Sequence, residues 1–175
     1  TILYYNEESG YWVYAGDYKR QPDGYRVEFF PFAVVWESKD RRGFKAISGE
    51  HAYADFEEKF DPFKPSSKPA RIRNAKIEDE VVIRDWRDGG RSDLTIGPLA
   101  YLEYDQKERV IRSENTPITI RDRDLMITCV GLRVDLLPAT PGPAKPGTPS
   151  VVSGFGGVER VRLDRDVRIV HDNIG

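Results

Sequence analysis

Three runs of alternating apolar and polar residues follow one another in the middle of the chain. They cover residues 94–104, 110–120 and 125–136, and short polar turns join them. Strict alternation over such lengths is typical of a β-strand with one buried face and one solvated face. No part of this block keeps a helical period for long. The pattern therefore predicts three strands, which we take as the organising unit of the chain.

Strand-like segments also lie on both sides of this block. Residues 25–36, 44–53, 71–86 and 158–170 are rich in aromatic and β-branched residues, and clusters of Gly, Pro, Asn and Asp separate them. Only residues 54–60 suggest a helix, of a single short turn. Turns recur every 8 to 15 residues along the chain. This rhythm predicts an almost entirely β protein, built as a sandwich, roll or barrel.

An internal repeat links two of these segments. Residues 75–85 align with residues 161–171, so that Ile77 matches Leu163, Val81 matches Val167 and Ile83 matches Ile169. A second, shorter match relates residues 47–53 to residues 95–101. We interpret these matches as one strand unit that is used more than once, each copy burying one face against its neighbours.

The other face of the repeated unit is charged. The alternate positions hold residues of mixed sign, namely Lys76, Glu78, Glu80 and Arg84 in one copy and Arg162, Asp164, Asp166 and Arg168 in the other. Charges of alternating sign suit solvent-exposed positions with weak cross-strand ion pairs, and they protect sheet edges from aggregation. The alternative is an anion site built from the arginines.

Length and composition narrow the class of protein. The chain has 175 residues, enough for one sizeable core, and its net charge of −2 gives no support for general nucleic-acid binding. The single cysteine, Cys129, excludes an internal disulfide and a multi-cysteine zinc site. No apolar run reaches the 18 to 20 residues, roughly, that span a bilayer, and no signal peptide is visible. Because the chain starts at Thr1, we expect a fragment of a longer protein whose targeting or anchoring segment lies outside it.

Catalytic motifs are absent from the sequence. It contains no nucleophile elbow, phosphate-binding loop, dinucleotide fingerprint or zinc-protease motif. His51 and His171 lack metal-ligand spacing, and Cys129 lies in an apolar strand as a small buried residue. Asp122 and Asp124 flank Arg123 in a pattern typical of a charged hairpin turn rather than of a carboxylate pair. We therefore expect a protein that is not an enzyme and needs no cofactor.

Aromatic residues crowd the N-terminal segment. Such a cluster could form a sugar-stacking platform or the plug at one end of a β-roll, and we favour the plug. The residues concerned are Tyr4, Tyr5, Tyr11, Trp12, Tyr14 and Tyr18.

The order and spacing of the central strands resemble the LptC/LptA (OstA-like) family of lipopolysaccharide export. The resemblance rests on a strand ending in Tyr104-Asp105, on Pro117-Ile-Thr-Ile120 and on Gly131-Leu-Arg-Val-Asp135. Upstream, Val81 and Ile83 match the start of a family unit, and residues 161–169 look like the start of another. The resemblance covers residues 70–136 best, extends to 25–69 and is absent from 1–24.

The resemblance implies an all-β fold, an antiparallel β-jelly-roll with an open, V-shaped or boat-like pair of sheets and repeated strand units. It divides the chain into an LptC-like roll over 1–137, with unassigned strands in 1–24, a Pro-rich connector or loop over 138–150, and further strands over 151–175. The last segment would complete this roll or begin an OstA-like unit. It implies a periplasmic protein, with inner-membrane anchoring of the parent protein left open.

The function implied by the resemblance is non-enzymatic lipid transport, in which an apolar groove holds lipopolysaccharide acyl chains and passes them along a jelly-roll bridge. The implied partners are lipopolysaccharide or another lipid and other bridge proteins that join by edge-strand addition, with no nucleic acid. Two alternatives stay open: a structural or protein-interaction β-domain of an envelope protein, and a carbohydrate-binding module. The expected lipid-binding residues, inward-facing by parity and motif position, are Ile77, Val81, Ile83, Ala100, Leu102, Tyr104, Ile118, Ile120, Ile127, Leu132, Val134, Leu163, Val167 and Ile169.

Overall fold

The fold consists of β-strands joined by turns. The structure, a computed structural model, describes residues 2–6, 11–37, 42–61, 71–87, 94–138 and 155–171. The strands are β1 (Ile2–Asn6), β2 (Tyr11–Arg20), β3 (Arg26–Glu37), β4 (Gly43–Gly49), β5 (His51–Phe56), β6 (Ile72–Arg87), β7 (Leu94–Asp105), β8 (Val110–Asp122), β9 (Leu125–Pro138) and β10 (Phe155–His171). The predicted all-β class is confirmed.

All the strand pairs are antiparallel and belong to a single ten-stranded sheet. Its order follows the sequence from β1 to β10, except that β4 and β5 lie end to end and both fill the place between β3 and β6. β1 and β10 form the two edges, and β10 pairs with β9, so residues 155–171 continue the same sheet.

A line of irregularities, here called the crease, crosses the long strands of this sheet. Pairing registers shift there in β6, β7, β8 and β10, and several residues take positive φ. Bulges of this kind bend a strand sharply and increase its twist. The crease runs through Pro31, Gly49–Glu50, Asp79–Glu80, Gly97–Pro98, Glu114–Thr116, Gly131 and Asp166.

Local chemistry explains why the sheet bends along this line. Gly97 has φ of +119° and its Cα lies against the Val81 carbonyl, where a side chain would not fit. On β8, the Tyr101 hydroxyl accepts a hydrogen bond from the Glu114 N–H at 2.8 Å and so holds the bulge. The internal repeat coincides with the crease, because the matched residues Glu80 and Asp166 have φ of 52° and 53°. The repeat is therefore a repeated bend as well as a repeated apolar stripe.

The crease divides the sheet into a β4 half, which contains β4 and the segments paired alongside it, and a β5 half, which contains β5 and its neighbours. One core cluster joins both halves: Val81, Ile118 and Cys129 come from the β4 half, and Leu102 and Leu132 come from the β5 half. We call the face that carries this cluster the inner face. The predicted open, V-shaped architecture is confirmed, and its two walls are parts of one bent sheet.

Two smaller predictions from the sequence hold. Cys129 is a buried residue, 4% exposed, and residues 123–124 form the turn of the β8–β9 hairpin. The helical turn expected at 54–60 is wrong. Ala54 and Phe56 are paired in β5 because their side chains alternate into a buried apolar cluster, and residues 57–61 are irregular.

The plug expected from the N-terminal aromatic cluster is wrong for Trp12 and Tyr14. The cross-strand partner of Val13 is Val34, whose own partner Ile47 packs on the inner cluster. Because side chains alternate along a strand, Trp12 and Tyr14 lie on the opposite, outer face. The side chains of Tyr4, Tyr5 and Tyr11 lie outside the described residues, as do residues 139–150 of the Pro-rich connector and residues 151–154.

Candidate functional site

The inner face of the β4 half begins with a fully buried row beside the crease. Val81 is 0% exposed, Leu99 and Ile118 are 1% exposed, and Cys129 is 4% exposed. Val81 pairs with Leu99, and Ile118 pairs with Cys129, so each pair spans two adjacent strands. This crease row is the dry floor of the site.

One step further from the crease, a second apolar row crosses eight strands. Each member is the register partner of the next, so the side chains lie side by side on the inner face. At the usual strand spacing the row is about 34 Å long. All its members are partly buried except the last, which is exposed. This rim row consists of Val13, Val34, Ile47, Ile83, Ile96, Ile120, Ile127 and Ile169.

The β5 half repeats the same gradient. Leu102 and Leu132, close to the crease, are 6% and 3% exposed. The next row outward, Tyr104, Ile111 and Val134, is partly buried, and these residues are register partners. Exposure therefore rises from the crease to the next row on both walls, but the β5 wall is buried again further out, where Leu136 is 2% exposed.

Aromatic residues fill the β5 half on the N-terminal side of the sheet. The Phe56 and Phe60 rings stack with centroids 4.2 Å apart, and Phe29 lies 5.4 Å from Phe32. These residues form a second core cluster with Val27 and several alanines. A plug of phenylalanines, rather than of the tyrosines expected from sequence, therefore closes this part of the inner face.

At the other end, β10 leaves the trough open. Leu163 packs on the inner cluster, but Val161, Val167 and Ile169 are 58%, 46% and 66% exposed. The residues of β6 that match them in the repeat have β7 beside them, and Val81, for example, is 0% exposed. The difference arises because β10 has a neighbouring strand on one side only among the described residues.

Among the described residues, charged side chains appear on the inner face of the β4 half only at its outer margin. Lys45 is the register partner of Asp85. Asp122 and His171 lie in the same cross-strand row, two residues beyond the rim row on each strand. Within the trough, burial raises the pKa of the Tyr104 hydroxyl and of the Cys129 thiol, so both stay neutral near pH 7. The trough is thus an apolar surface with a charged margin.

The structure brings most of the sequence-predicted site residues together. On the described walls, the trough contains Ile77, Val81, Ile83, Leu102, Tyr104, Ile118, Ile120, Ile127, Leu132, Val134 and Leu163, and Val167 and Ile169 lie at its exposed β10 end.

Ala100 is the exception. It is exposed, and Leu99 takes the buried position instead. The cause is the bend at Gly97–Pro98, which shifts the alternation of side chains within β7.

Sequence reasoning also missed Ile47, Ile96 and Ile111, which pack on the inner cluster. Ile47 and Ile96 lie in segments recognised as strands, and their register with Ile83 is what places them in the row. The second, shorter repeat could not identify them, because it aligns Ile47 with Thr95, which is the register partner of the outward-facing Arg84.

Polar features of the described residues also lie outside the trough. No group of three or more His, Cys, Asp or Glu side chains there could hold a metal ion. A depression of about 610 Å³ lies beside the β2–β3 turn, lined in part by Arg26 and Asp55. These two side chains are engaged with each other, with Nε–Oδ1 and Nη2–Oδ2 distances of 2.6 and 2.8 Å. No helix among the described residues is long and apolar enough to cross a membrane.

No protein-family model and no curated protein sequence matches the chain. Among solved structures, the chain is similar to the crystal structure of LptH, the LptA-homologous periplasmic component of the lipopolysaccharide transport device of Pseudomonas aeruginosa. The identity is 7% and the TM-score 0.48, over 90% of this chain and 96% of that chain. That structure belongs to the group that the sequence motifs resemble.

Proposed function

We propose that the chain is a non-enzymatic lipid-transport module that binds the acyl chains of lipopolysaccharide in the trough and passes them along a β-jelly-roll bridge. The observation that carries the proposal is the rim row. It is an unbroken line of aliphatic side chains across eight strands that is left partly exposed above a fully buried floor.

A packed core alone does not require such a row. Ile47, Ile83, Ile96 and Ile120 pack on the crease row but are only partly buried, so part of their apolar surface remains in water. Retaining them exposes apolar surface at a cost of about 25 cal/mol for each Å². An acyl chain lying along the row would remove that surface from water, and unbranched chains suit a line of similar aliphatic residues.

The charged margin suits an amphipathic ligand. With its tails against Ile83 and Ile120, a lipid would place its polar part beside Lys45, Asp85 and Asp122. The sugars would then remain hydrated while the tails stay in the trough. Lipopolysaccharide as the specific lipid and the periplasm as the location rest on the motif resemblance, which leaves inner-membrane anchoring of the parent protein open.

The exposed end at β10 supports the bridging part of the proposal. In β6, strand β7 covers the positions that correspond to Val167 and Ile169. A strand added by another jelly-roll protein along β10 would take the place that β7 has beside β6. The rim row would then continue into the partner without a break.

The test compares two adjacent residues of β8. Ile120→Asn places a polar group in the rim row, whereas Thr119→Asn changes the outer face of the same strand. Titration of each purified variant with purified lipopolysaccharide measures the dissociation constant. We expect about a 10-fold or larger increase for Ile120→Asn, because its amide would be buried against acyl chains, and less than a 2-fold change for Thr119→Asn.

The proposal is contradicted if the wild-type chain does not bind lipopolysaccharide. It also fails if both asparagine variants bind as well as the wild type. Both variants must retain the wild-type circular dichroism spectrum, which the half-buried environment of Ile120 should allow.

A further inference from the structure

The outer face of the β4 half carries three exposed arginines that form no ion pair with another described residue. Arg84 and Arg121 are both register partners of Thr95, and Arg168 is the partner of Thr128. Their guanidinium groups make no ion pair and no side-chain hydrogen bond within the part of the chain that the structure describes. Each lies two strands from the next, so neighbouring arginines start about 10 Å apart.

The outer face of the β5 half is organised differently. There each described arginine or lysine that faces outward from the central strands has a carboxylate partner, as in Lys76–Glu78 at 2.5 Å and Arg112–Glu103 at 3.2 Å. Arg133–Asp135 and Arg162–Asp164 continue this arrangement to the β10 edge. On the outer face of the β5 half most described cations thus have a carboxylate partner, with Arg160 as an exception, whereas Arg84, Arg121 and Arg168 have none among the described residues.

Large aromatic side chains lie on the same face beside the arginines. Trp12 and Phe44 have ring centroids 6.2 Å apart, and Phe44, which is 43% exposed, is the register partner of Trp86. Val35 on β3 and Ala46 on β4 lie in the same cross-strand row as Trp12. Of the described residues on this face, only Glu37 brings a negative charge to the aromatic end. The surface is therefore aromatic at one end and basic across the rest, in a chain whose net charge is −2.

We propose that this face, defined by Trp12, Phe44, Trp86, Arg84, Arg121 and Arg168, docks on the surface of an anionic phospholipid bilayer. Tryptophan and phenylalanine partition into the interfacial region of a membrane, and arginines near an anionic surface each contribute attraction to it. An acidic protein would have to supply carboxylates at two-strand intervals, whereas a bilayer offers phosphates at any spacing. The proposal does not rest on the proposed function, because the trough lies on the opposite face.

The experiment is flotation of the purified chain with vesicles of phosphatidylcholine alone or with phosphatidylglycerol added. The wild type should bind the anionic vesicles and not the neutral ones, and high salt should release it. Arg84→Gln, Arg121→Gln and Arg168→Gln combined should weaken binding about 100-fold, at about 5-fold for each arginine. Trp12→Ala with Phe44→Ala should weaken binding while leaving its salt dependence in place.

The matched control is Arg112→Gln, Arg133→Gln and Arg162→Gln combined, which removes the same charge from the paired face of the β5 half. It should bind anionic vesicles within a few-fold of the wild type. The proposal is overturned if the control loses as much binding as the Arg84, Arg121 and Arg168 triple variant. It is equally overturned if the wild type fails to float with anionic vesicles, or if it binds neutral vesicles as well. The vesicles contain no lipopolysaccharide, so failure of this experiment would leave the proposed function intact. Failure of the lipopolysaccharide titration would likewise leave the membrane-docking proposal intact.

Discussion

Two isoleucines on the same strand provide a sharp prediction about the trough. Ile118 and Ile120 lie two residues apart in β8 and face the same side, but Ile118 is 1% exposed whereas Ile120 is only partly buried. Substitution by alanine removes three carbon atoms from either residue. At about 0.8 kcal/mol for each buried methylene, the transfer term for Ile118 is about 2.4 kcal/mol, and the cavity left behind brings the total to 3–4 kcal/mol, roughly.

The cost for Ile120→Ala should be much smaller. Part of its side chain is already in water, and the space left by truncation opens to solvent instead of forming a cavity. We expect about 1 kcal/mol. For a chain of this size, the melting temperature should fall by about 7–15 °C for Ile118→Ala and by about 2–4 °C for Ile120→Ala.

Urea titration followed by circular dichroism and tryptophan fluorescence measures both free energies of unfolding. Coincident transitions for the two probes would justify the two-state treatment. If the two substitutions cost the same, the gradient of burial away from the crease is refuted. A large loss at both positions would mean a closed, packed core, and a small loss at both would mean that the crease row is not dry.

Three further predictions concern the crease and the outer face. Gly97→Ala should lower the free energy of unfolding by about 2 kcal/mol or more, because the φ of +119° and the adjacent Val81 carbonyl disfavour a side chain. An unchanged free energy of unfolding in urea titration would contradict this prediction. Tyr101→Phe should cost about 1 kcal/mol by removing the hydrogen bond that holds the β8 bulge, and an unchanged urea midpoint would contradict this. The hydrogen bond from Lys76 lowers the pKa of Glu78, so its stabilisation is complete above the ordinary pKa of 4.5 and is lost as the pH falls through the lower native value. Glu78→Gln should therefore lose less stability than the wild type between about pH 5 and pH 3 in urea titrations, and equal losses would refute the role of Glu78.

Alternation of side chains was sufficient to predict the strands and most of the inner face. Ile118, Ile120 and Ile127 were identified as inward-facing because each strand keeps its period on one side of the crease. Buried Cys129 followed from the same parity. These properties depend only on the two-residue alternation within a single strand, so the sequence predicts them directly.

The crease could not be predicted, and the one residue placed on the wrong face follows from it. Ala100 and Leu102 share parity in the sequence, but the alternation of side chains in β7 is shifted beside the bend at Gly97. As a result Leu99, and not Ala100, is buried. Positive φ at Glu80 has no marker in the sequence, because glutamate rarely adopts it. Tertiary packing of the two walls imposes this conformation.

The division of the charged residues was also hidden from the sequence. Arg84 and Arg162 belong to the same alternating pattern of charge, yet Arg162 has a partner in Asp164, whereas Arg84 has no ion-pair partner in the part of the chain that the structure describes. Which carboxylate reaches which guanidinium depends on strand register and on the side of the crease. The sequence therefore predicted a solvated face without distinguishing its paired half from its unpaired half.

The central claim, that the trough holds acyl chains, is tested most directly by site-specific photo-crosslinking in cells that make lipopolysaccharide. A photoreactive residue is placed in turn at Thr119, Ile120, Glu103 and Tyr104, and adducts are detected with an antibody against lipopolysaccharide. The alternation of these positions between faces predicts adducts at Ile120 and Tyr104 and none at Thr119 and Glu103. Adducts at all four positions, at the outer pair alone or at none would contradict the claim.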